Sequence, residues 1–294
     1  MDQQPAPIVA PFFDAATSTY SYIVHGMDDP AAIIIDPVLD FDPRSGAITT
    51  QSAEQLCEYL TAHALRAEWI LETHAHADHL SSAHWLREHL TGPPQVGVCR
   101  QITSVQETFK KLLALEAEFC EDGRQFDRLL DDGESFAVGS MRVRVLATPG
   151  HTLDSVAFLI GNAAFIGDTM FMPDYGTARC DFPGGDARAL YRSIHKILAL
   201  PDEVRLFVCH DYPPVDRPPR CQTNSADQRR SNIHVGANTS EAEFVQMRNQ
   251  RDESLAKPML LWPSVQVNIR AGELPPKDAN GRRYLKIPLS GAID

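Results

Sequence analysis

Seven consecutive residues, Thr73-His74-Ala75-His76-Ala77-Asp78-His79, hold three imidazoles and a carboxylate directly after the apolar run Trp69-Ile70-Leu71. Imidazole nitrogen and carboxylate oxygen are the ligand atoms of zinc, iron and manganese. A strand end that runs into a tight turn can converge them on one point. Three further signals follow: Thr148-Pro149-Gly150-His151, Ile166-Gly167-Asp168 and Val208-Cys209-His210-Asp211. Each places a histidine or carboxylate just past an apolar run, where layered folds gather functional side chains from distant sequence. One such histidine alone would read as a solvated turn residue. Four signals in one chain read as a metal site.

The elements that must position these side chains are short. Apolar, β-branched runs at Tyr20–Ile23, Ala32–Ile35, Trp69–Leu71, Val143–Leu146, Val156–Ile160, Ala163–Ile166 and Leu206–Val208 are bounded by Gly, Pro, Asp or Asn, as buried strands are. Helical stripes lie between them. One is Leu80, Ala83, Leu86 and Leu90, immediately after the histidine cluster. Others are Val105, Phe109, Leu112 and Leu113, and Leu190, Ile194 and Ile197 after Gly184-Gly185-Asp186. Ser52 with Gln55, and Ser240 with Glu243, predict capping boxes, the second opening a helix that runs to about Ser254. Strands with interleaved helices predict a layered α/β architecture with sheets in the middle. Tyr212–Arg220, with four prolines, predicts an ordered loop. Beyond Pro258 the pattern predicts an extended chain with a turn at Asn280-Gly281.

Composition narrows the partners. At 294 residues, with 43% apolar and 22% charged residues, the chain can bury a sizeable core as one large domain or a domain with an appendage. A formal charge of −12 argues against nucleic acid or an anionic membrane as the main partner. Residues 1–14 show no signal-peptide pattern, and no apolar run is long enough to span a bilayer. Six scattered cysteines without a pairing pattern predict reduced thiols and a cytoplasmic setting. A homodimer stays open.

The order His-x-His-x-Asp-His, Thr-Pro-Gly-His, Gly-Asp and a last His closely resembles the metallo-β-lactamase superfamily over about residues 15–215. The resemblance implies an αβ/βα sandwich, two central mixed sheets flanked by helices. The catalytic domain would be residues 1–215, with a short C-terminal extension, 216–294, packed on it as a loop, a helix and an extended segment. It also implies a metal site at one edge between the sheets. His74, His76 and His151 would ring a first position and Asp78, His79 and His210 a second, with Asp168 between them.

A finer similarity is to the persulfide dioxygenases (sulfur dioxygenases), relatives of glyoxalase II. It is carried by Gly167–Phe182, above all Arg179-x-Asp181-Phe182, by His210-Asp211-Tyr212 and by Gly185–His195. This similarity implies one iron(II) per chain, held by His74, His151 and Asp168 as the catalytic residues. His76, Asp78, His79 and His210 would either orient those ligands or offer a second metal site. Two imidazoles and one carboxylate leave three positions open on iron, which suits oxygen activation. The implied reaction oxidises glutathione persulfide with O2 to sulfite and glutathione, a step of sulfur metabolism and hydrogen sulfide detoxification.

Substrate contacts follow from the same segments. Arg179 could fork onto a glutathione carboxylate or pair with Asp174 or Asp181. Tyr212 could donate its hydroxyl, and Tyr175 is a weaker candidate of the same kind. Arg229, Arg230 and Lys257 read mainly as surface charges, and Cys180 as a reduced, partly buried bystander. The main rival activity is hydrolysis of S-lactoylglutathione at two bridged metals, as in glyoxalase II, against which stands a tail with one clear helix. A non-enzymatic thiol- or metal-sensing module is the third reading.

Overall fold

Alternation along the strands decides the architecture. In β2 (Thr19–His25) and β3 (Ala31–Ile35), Tyr22, Val24, Ile33 and Ile35 face one core, while Ile23, Ala32 and Ile34 face another. Strands buried on both faces must lie in an inner layer. The computed structural model describes residues 5–236 and 239–289 and places them so.

The first sheet has the order β1 (Ile8–Asp14), β2, β3, β6 (Arg66–Leu71), β8 (Gln95–Cys99) and β9 (Arg128–Leu130). It is antiparallel from β1 to β3 and parallel from β3 to β9. The second sheet runs β10 (Ser135–Val138), β11 (Met141–Ala147), β12 (Val156–Ile160), β13 (Ala163–Phe165), β14 (Arg205–Phe207) and β15 (Gln222–Asn224). Only its β13–β14 pair is parallel. A small third sheet joins β5 (Ala47–Thr49), β4 (Val38–Asp42) and β7 (Leu80–Ser81).

Helices cover both outer faces. α1 (Gln51–Ala62), α2 (Ala83–His89), α3 (Ile102–Leu112) and α7 (Leu261–Asn268) share a core with the first sheet. α4 (Ala187–Leu198) and α6 (Glu241–Asp252) share one with the second, and α5 (Ser225–Ser231) follows β15. The two sheets meet over Tyr22, Phe158, Phe165 and Phe207. The Tyr22 and Phe207 rings each lie 5.1 Å from Phe165. Each fully buried ring of this kind contributes about 1.5–3 kcal/mol. The result is the αβ/βα sandwich that the sequence resemblance implied.

All seven apolar runs lie in strands or reach one residue past a strand end. Ser240 and Glu243 close a complete capping box, and α6 follows as expected. Asp186 caps α4 through Ala189 N, which puts Leu190, Ile194 and Ile197 on the buried face.

Four expectations change. Ser52 does not cap α1: it lies inside the helix and binds Asp40, so the Ser52–Gln55 pair is no capping box. Leu80 belongs to β7, which leaves α2 only seven residues. Leu112 is exposed, because the α3 stripe passes through Ile102, Val105 and Phe109 and ends at Leu113. The tail holds three helices, where one helix and an extended segment were expected. In α7, Val265, Val267 and Ile269 alternate like a strand, but residues 263–268 are buried all round, so no amphipathic period shows. Asn280-Gly281 does form a turn, with Gly281 N donating to Asp278 O and Gly281 at φ +80°. None of the six cysteines is paired. Among the described residues no helix is long and apolar enough to cross a membrane.

Candidate metal centre

The histidine-rich segment leaves the first sheet at the end of β6 and has almost no regular backbone pairing of its own. Side chains from elsewhere hold it. Asp36, at the end of β3 with φ +48°, accepts from Thr73 N at 2.7 Å and from Thr73 Oγ1 at 2.9 Å. Asp154 accepts from Ala75 N at 2.8 Å. Asn268 of α7 donates to both His76 O and His79 O at 2.8 Å and accepts from Ser81 N at 2.8 Å.

His151 sits past β11 in a turn that requires glycine. Gly150 has φ +141°, and a Cβ there would lie 2.3 Å from the Leu190 backbone at the start of α4. Asp168 follows β13 at Gly167, whose φ is +49° and where a Cβ would come within 2.9 Å of Thr73. His210 follows β14, its Nδ1 3.2 Å from Thr19 Oγ1 and 3.3 Å from Ser18 O.

These strand ends converge. One ligand atom each from His74, His151 and Asp168 lie within 4.8 Å of one another, and so do those of His76, Asp78, His79 and His210. Hydrogen bonds fix which nitrogen faces the site. His151 Nδ1 lies 2.8 Å from Arg179 O, a carbonyl that only accepts, so the Nε2 lone pair is free. Thr73 Oγ1 gives its proton to Asp36 and therefore accepts from His74 Nδ1 at 3.0 Å, freeing His74 Nε2 in the same way. His76 differs, with Nε2 turned to Asp36 at 3.0 Å.

The buried atoms His74 Nε2, His79 Nδ1 and Nε2, Asp78 Oδ2, Asp168 Oδ1 and His210 Nε2 have no hydrogen-bond partner. Unpartnered imidazole nitrogens and carboxylate oxygens gathered at one point are costly unless they share a cation, so the ligand set fits a metal ion. Electrostatics agrees. Burial, reinforced by the neighbouring imidazoles, pushes His74 well below the ordinary histidine range and keeps it neutral, as a ligand must be. Burial works against charge on His210, yet Asp168 and Asp78 draw it well above that range. The two carboxylates that raise it mark where the site stabilises positive charge.

A pocket of about 280 Å³ opens onto the first group. Asp78, His151 and Asp168 line it together with the rings of Phe171, Tyr175, Tyr212 and Phe182. All three expected substrate contacts line it. Burial, then Asp78 and Asp168, push the Tyr212 hydroxyl far up, so it stays protonated and can donate. The Tyr175 and Tyr212 rings lie 4.7 Å apart. Arg179 places Nε and Nη2 on Asp181 at 2.6 Å and Nη1 on Ala256 O at 2.8 Å. Arg229 and Arg230 pair with Asp202 and Asp227, and Lys257 lies over Trp262; none of the three borders this pocket. Cys180 is buried in the core under α4, and burial raises its thiol pKa steeply.

Sequence reasoning missed His234, Arg248 and Arg251, which also line the pocket. Buried Arg248 is neutralised by Asp252, whereas Arg251 has no carboxylate within 4.0 Å among the described residues. His234 Nδ1 accepts from Thr177 N at 3.0 Å, so the proton of the neutral ring sits on Nε2. Nothing in the spacing of these three marks them out. Asp36 did carry a legible signal, a carboxylate ending the run Ile33-Ile34-Ile35.

Comparison with known proteins agrees with this geometry. A probable metallo-hydrolase of Burkholderia pseudomallei is 49% identical over 95% of this chain and 97% of its own length. The mitochondrial persulfide dioxygenase ETHE1 of Homo sapiens is 29% identical over 91% of this chain and 90% of its own. The crystal structure of ETHE1 from Myxococcus xanthus superposes with a TM-score of 0.71 at 28% identity, covering 90% of this chain and all of that one. The family description "Metallo-beta-lactamase superfamily" matches residues 15–210, which contain all seven clustered histidines and carboxylates. The chain belongs to the metallo-beta-lactamase superfamily.

Proposed function

We propose that this protein is an iron(II)-dependent persulfide dioxygenase that converts glutathione persulfide, O2 and water to glutathione, sulfite and protons. The observation that carries the reading is the buried group of two imidazole Nε2 lone pairs and one carboxylate, His74, His151 and Asp168, of which His151 and Asp168 line a pocket. Such a facial set suits iron with open positions. Bound there, iron(II) would supply open coordination sites that bring a persulfide sulfur, the source of the electrons, together with O2. The rest falls to the protein's own side chains. His74 and His151 present fixed tautomers, and Phe171, Phe182 and the paired tyrosines exclude water from the reacting sulfur. The Tyr212 O–H can donate to the substrate, while Arg251 faces a carboxylate. Residues 216–294 would act as an extension of the same catalytic body, supplying α6 and its arginines.

Similarity to the human dioxygenase over nine-tenths of both chains supports this reading. A second reading has its own support. The group His76, Asp78, His79 and His210 is complete beside the first, and the 49% identical relative is named a hydrolase. Two bridged metals could activate water for thioester hydrolysis. The three-helix tail also removes the argument that the extension is too small for that activity.

Metal analysis after anaerobic purification separates the two. One iron per chain, with O2 uptake and sulfite release from glutathione persulfide, is expected. Two metals per chain with hydrolysis of S-lactoylglutathione and no O2 uptake would reject the dioxygenase.

A further inference from the structure

We propose that Asn268 is a positioning residue for the metal site, a clamp by which the C-terminal helix α7 sets the histidine loop. The segment between β6 and β7 carries four of the seven clustered metal-type side chains on irregular backbone. Three polar side chains, Asp36, Asp154 and Asn268, hold it, and Asn268 alone serves two of its groups, the carbonyls of His76 and His79, together with the N–H of Ser81 in β7. Those groups bracket Asp78 and His79, so the amide fixes the turn that aims both side chains. Ser81 in turn donates through Oγ to Glu72, and Glu72 Oε2 lies 3.6 Å from His76 Nε2, which ties the two ends of the loop together.

The chemistry calls for an amide. Two donors and one acceptor on one flat group match two carbonyls and one N–H, which no other side chain of this size does. An aspartate would fill the same space but set a carboxylate against two carbonyl oxygens. The approach of α7 is close enough that Gly272, with φ +83°, would meet Ser81 O at 2.8 Å if it carried a Cβ. The clamp thus reaches the site from beyond residue 210, where the family match ends.

The inference rests on the metal reading but not on which reaction the metal serves. The test is titration of metal-free protein with cobalt(II) alone, followed by its visible absorption. Asn268→Asp is expected to weaken cobalt binding about 10- to 100-fold and to alter the spectrum. Val267→Ala is the control. Val267 is buried in the same helix against Leu39 and Leu80, so this change should lower Tm and leave cobalt binding unchanged. Asn268→Ser, neutral and smaller, serves with the same two outcomes if the aspartate prevents folding. Wild-type affinity and spectrum in the Asn268 variant would overturn the clamp. So would an equal loss of affinity in Val267→Ala at matched Tm, which would reduce Asn268 to a stability residue. Failure of the wild type to bind cobalt would instead overturn the metal reading, and the clamp with it.

Discussion

Replacing Arg251 by Gln tests how an acidic protein would hold the anionic substrate proposed above. Of the three arginines that border the pocket, Arg179 is neutralised by Asp181 and Arg248 by Asp252. The positive charge left to the pocket is that of Arg251. It is exposed, so its attraction for a substrate carboxylate is screened by water and contributes about 1 kcal/mol. One kcal/mol corresponds to roughly a fivefold change in binding. Because the carboxylate is remote from the reacting sulfur, the contact is the same in ground and transition states, and the loss falls on KM with kcat unchanged. The assay is O2 uptake with glutathione persulfide, beside calorimetric binding of glutathione, at low and high salt. Wild-type KM should rise with salt, and the variant should be insensitive to it. Arg179→Ala should behave differently, since its fork holds the segment whose carbonyl orients His151. That variant should lose bound metal and kcat. A fall in kcat with unchanged KM in Arg251→Gln, or an unchanged salt dependence, would refute the division of labour drawn from these contacts.

Other outcomes follow from the same geometry. Asp168→Ala should lose bound metal and activity, because it removes the one carboxylate of the His74, His151 and Asp168 group; elemental analysis checks it, and retained metal would refute the ligand assignment. Gly150→Ala forces a Cβ to 2.3 Å from the Leu190 backbone and should cost about 3 kcal/mol or more, a Tm fall of roughly 6–12 °C. A native Tm would show that the turn can yield. Burial, then Arg248 and Arg251, lower the His234 pKa to about 4, below its unfolded value, so its contribution is present above about pH 6.5 and lost as pH falls toward 4. Urea melts of metal-free His234→Asn should show a flatter pH dependence across that window, and an unchanged profile would count against a buried neutral ring. Alkylation of native protein at pH 8 should spare Cys99, pushed up to about 11 by burial, and Cys180. Peptide mapping that finds either modified before unfolding would contradict their placement.

The sequence made strand ends legible because their signal is local. An apolar run closed by Gly-Asp or Pro-Gly-His states both the strand and the side chain that leaves it, so Asp168 and His151 could be read directly. Asp36 carries the same signal, an apolar run closed by Asp36-Pro37. What stayed hidden depends on distant packing. α7 shows no helical period because it is buried on every side. Arg251 looks like any solvated helix charge, and only the pairing of Arg179 with Asp181 and of Arg248 with Asp252 leaves it the cation of the pocket without a carboxylate partner among the described residues. Asn268 is one amide among several in the chain, and its use is set by a loop 189 residues away.

That separation has a consequence for how the protein comes into being. Synthesis proceeds from the N-terminus at about 5–20 residues per second, so the histidine loop emerges roughly 10–40 s before Asn268 exists. During that interval its carbonyls wait for a partner that has not been made. Both sheets can pair meanwhile, since β15 ends at Asn224. The nascent chain therefore passes through a stage with its sandwich in place and its metal loop open. If Asn268 sets the loop as proposed, the side chains it aims take their final positions only after α7 has been made.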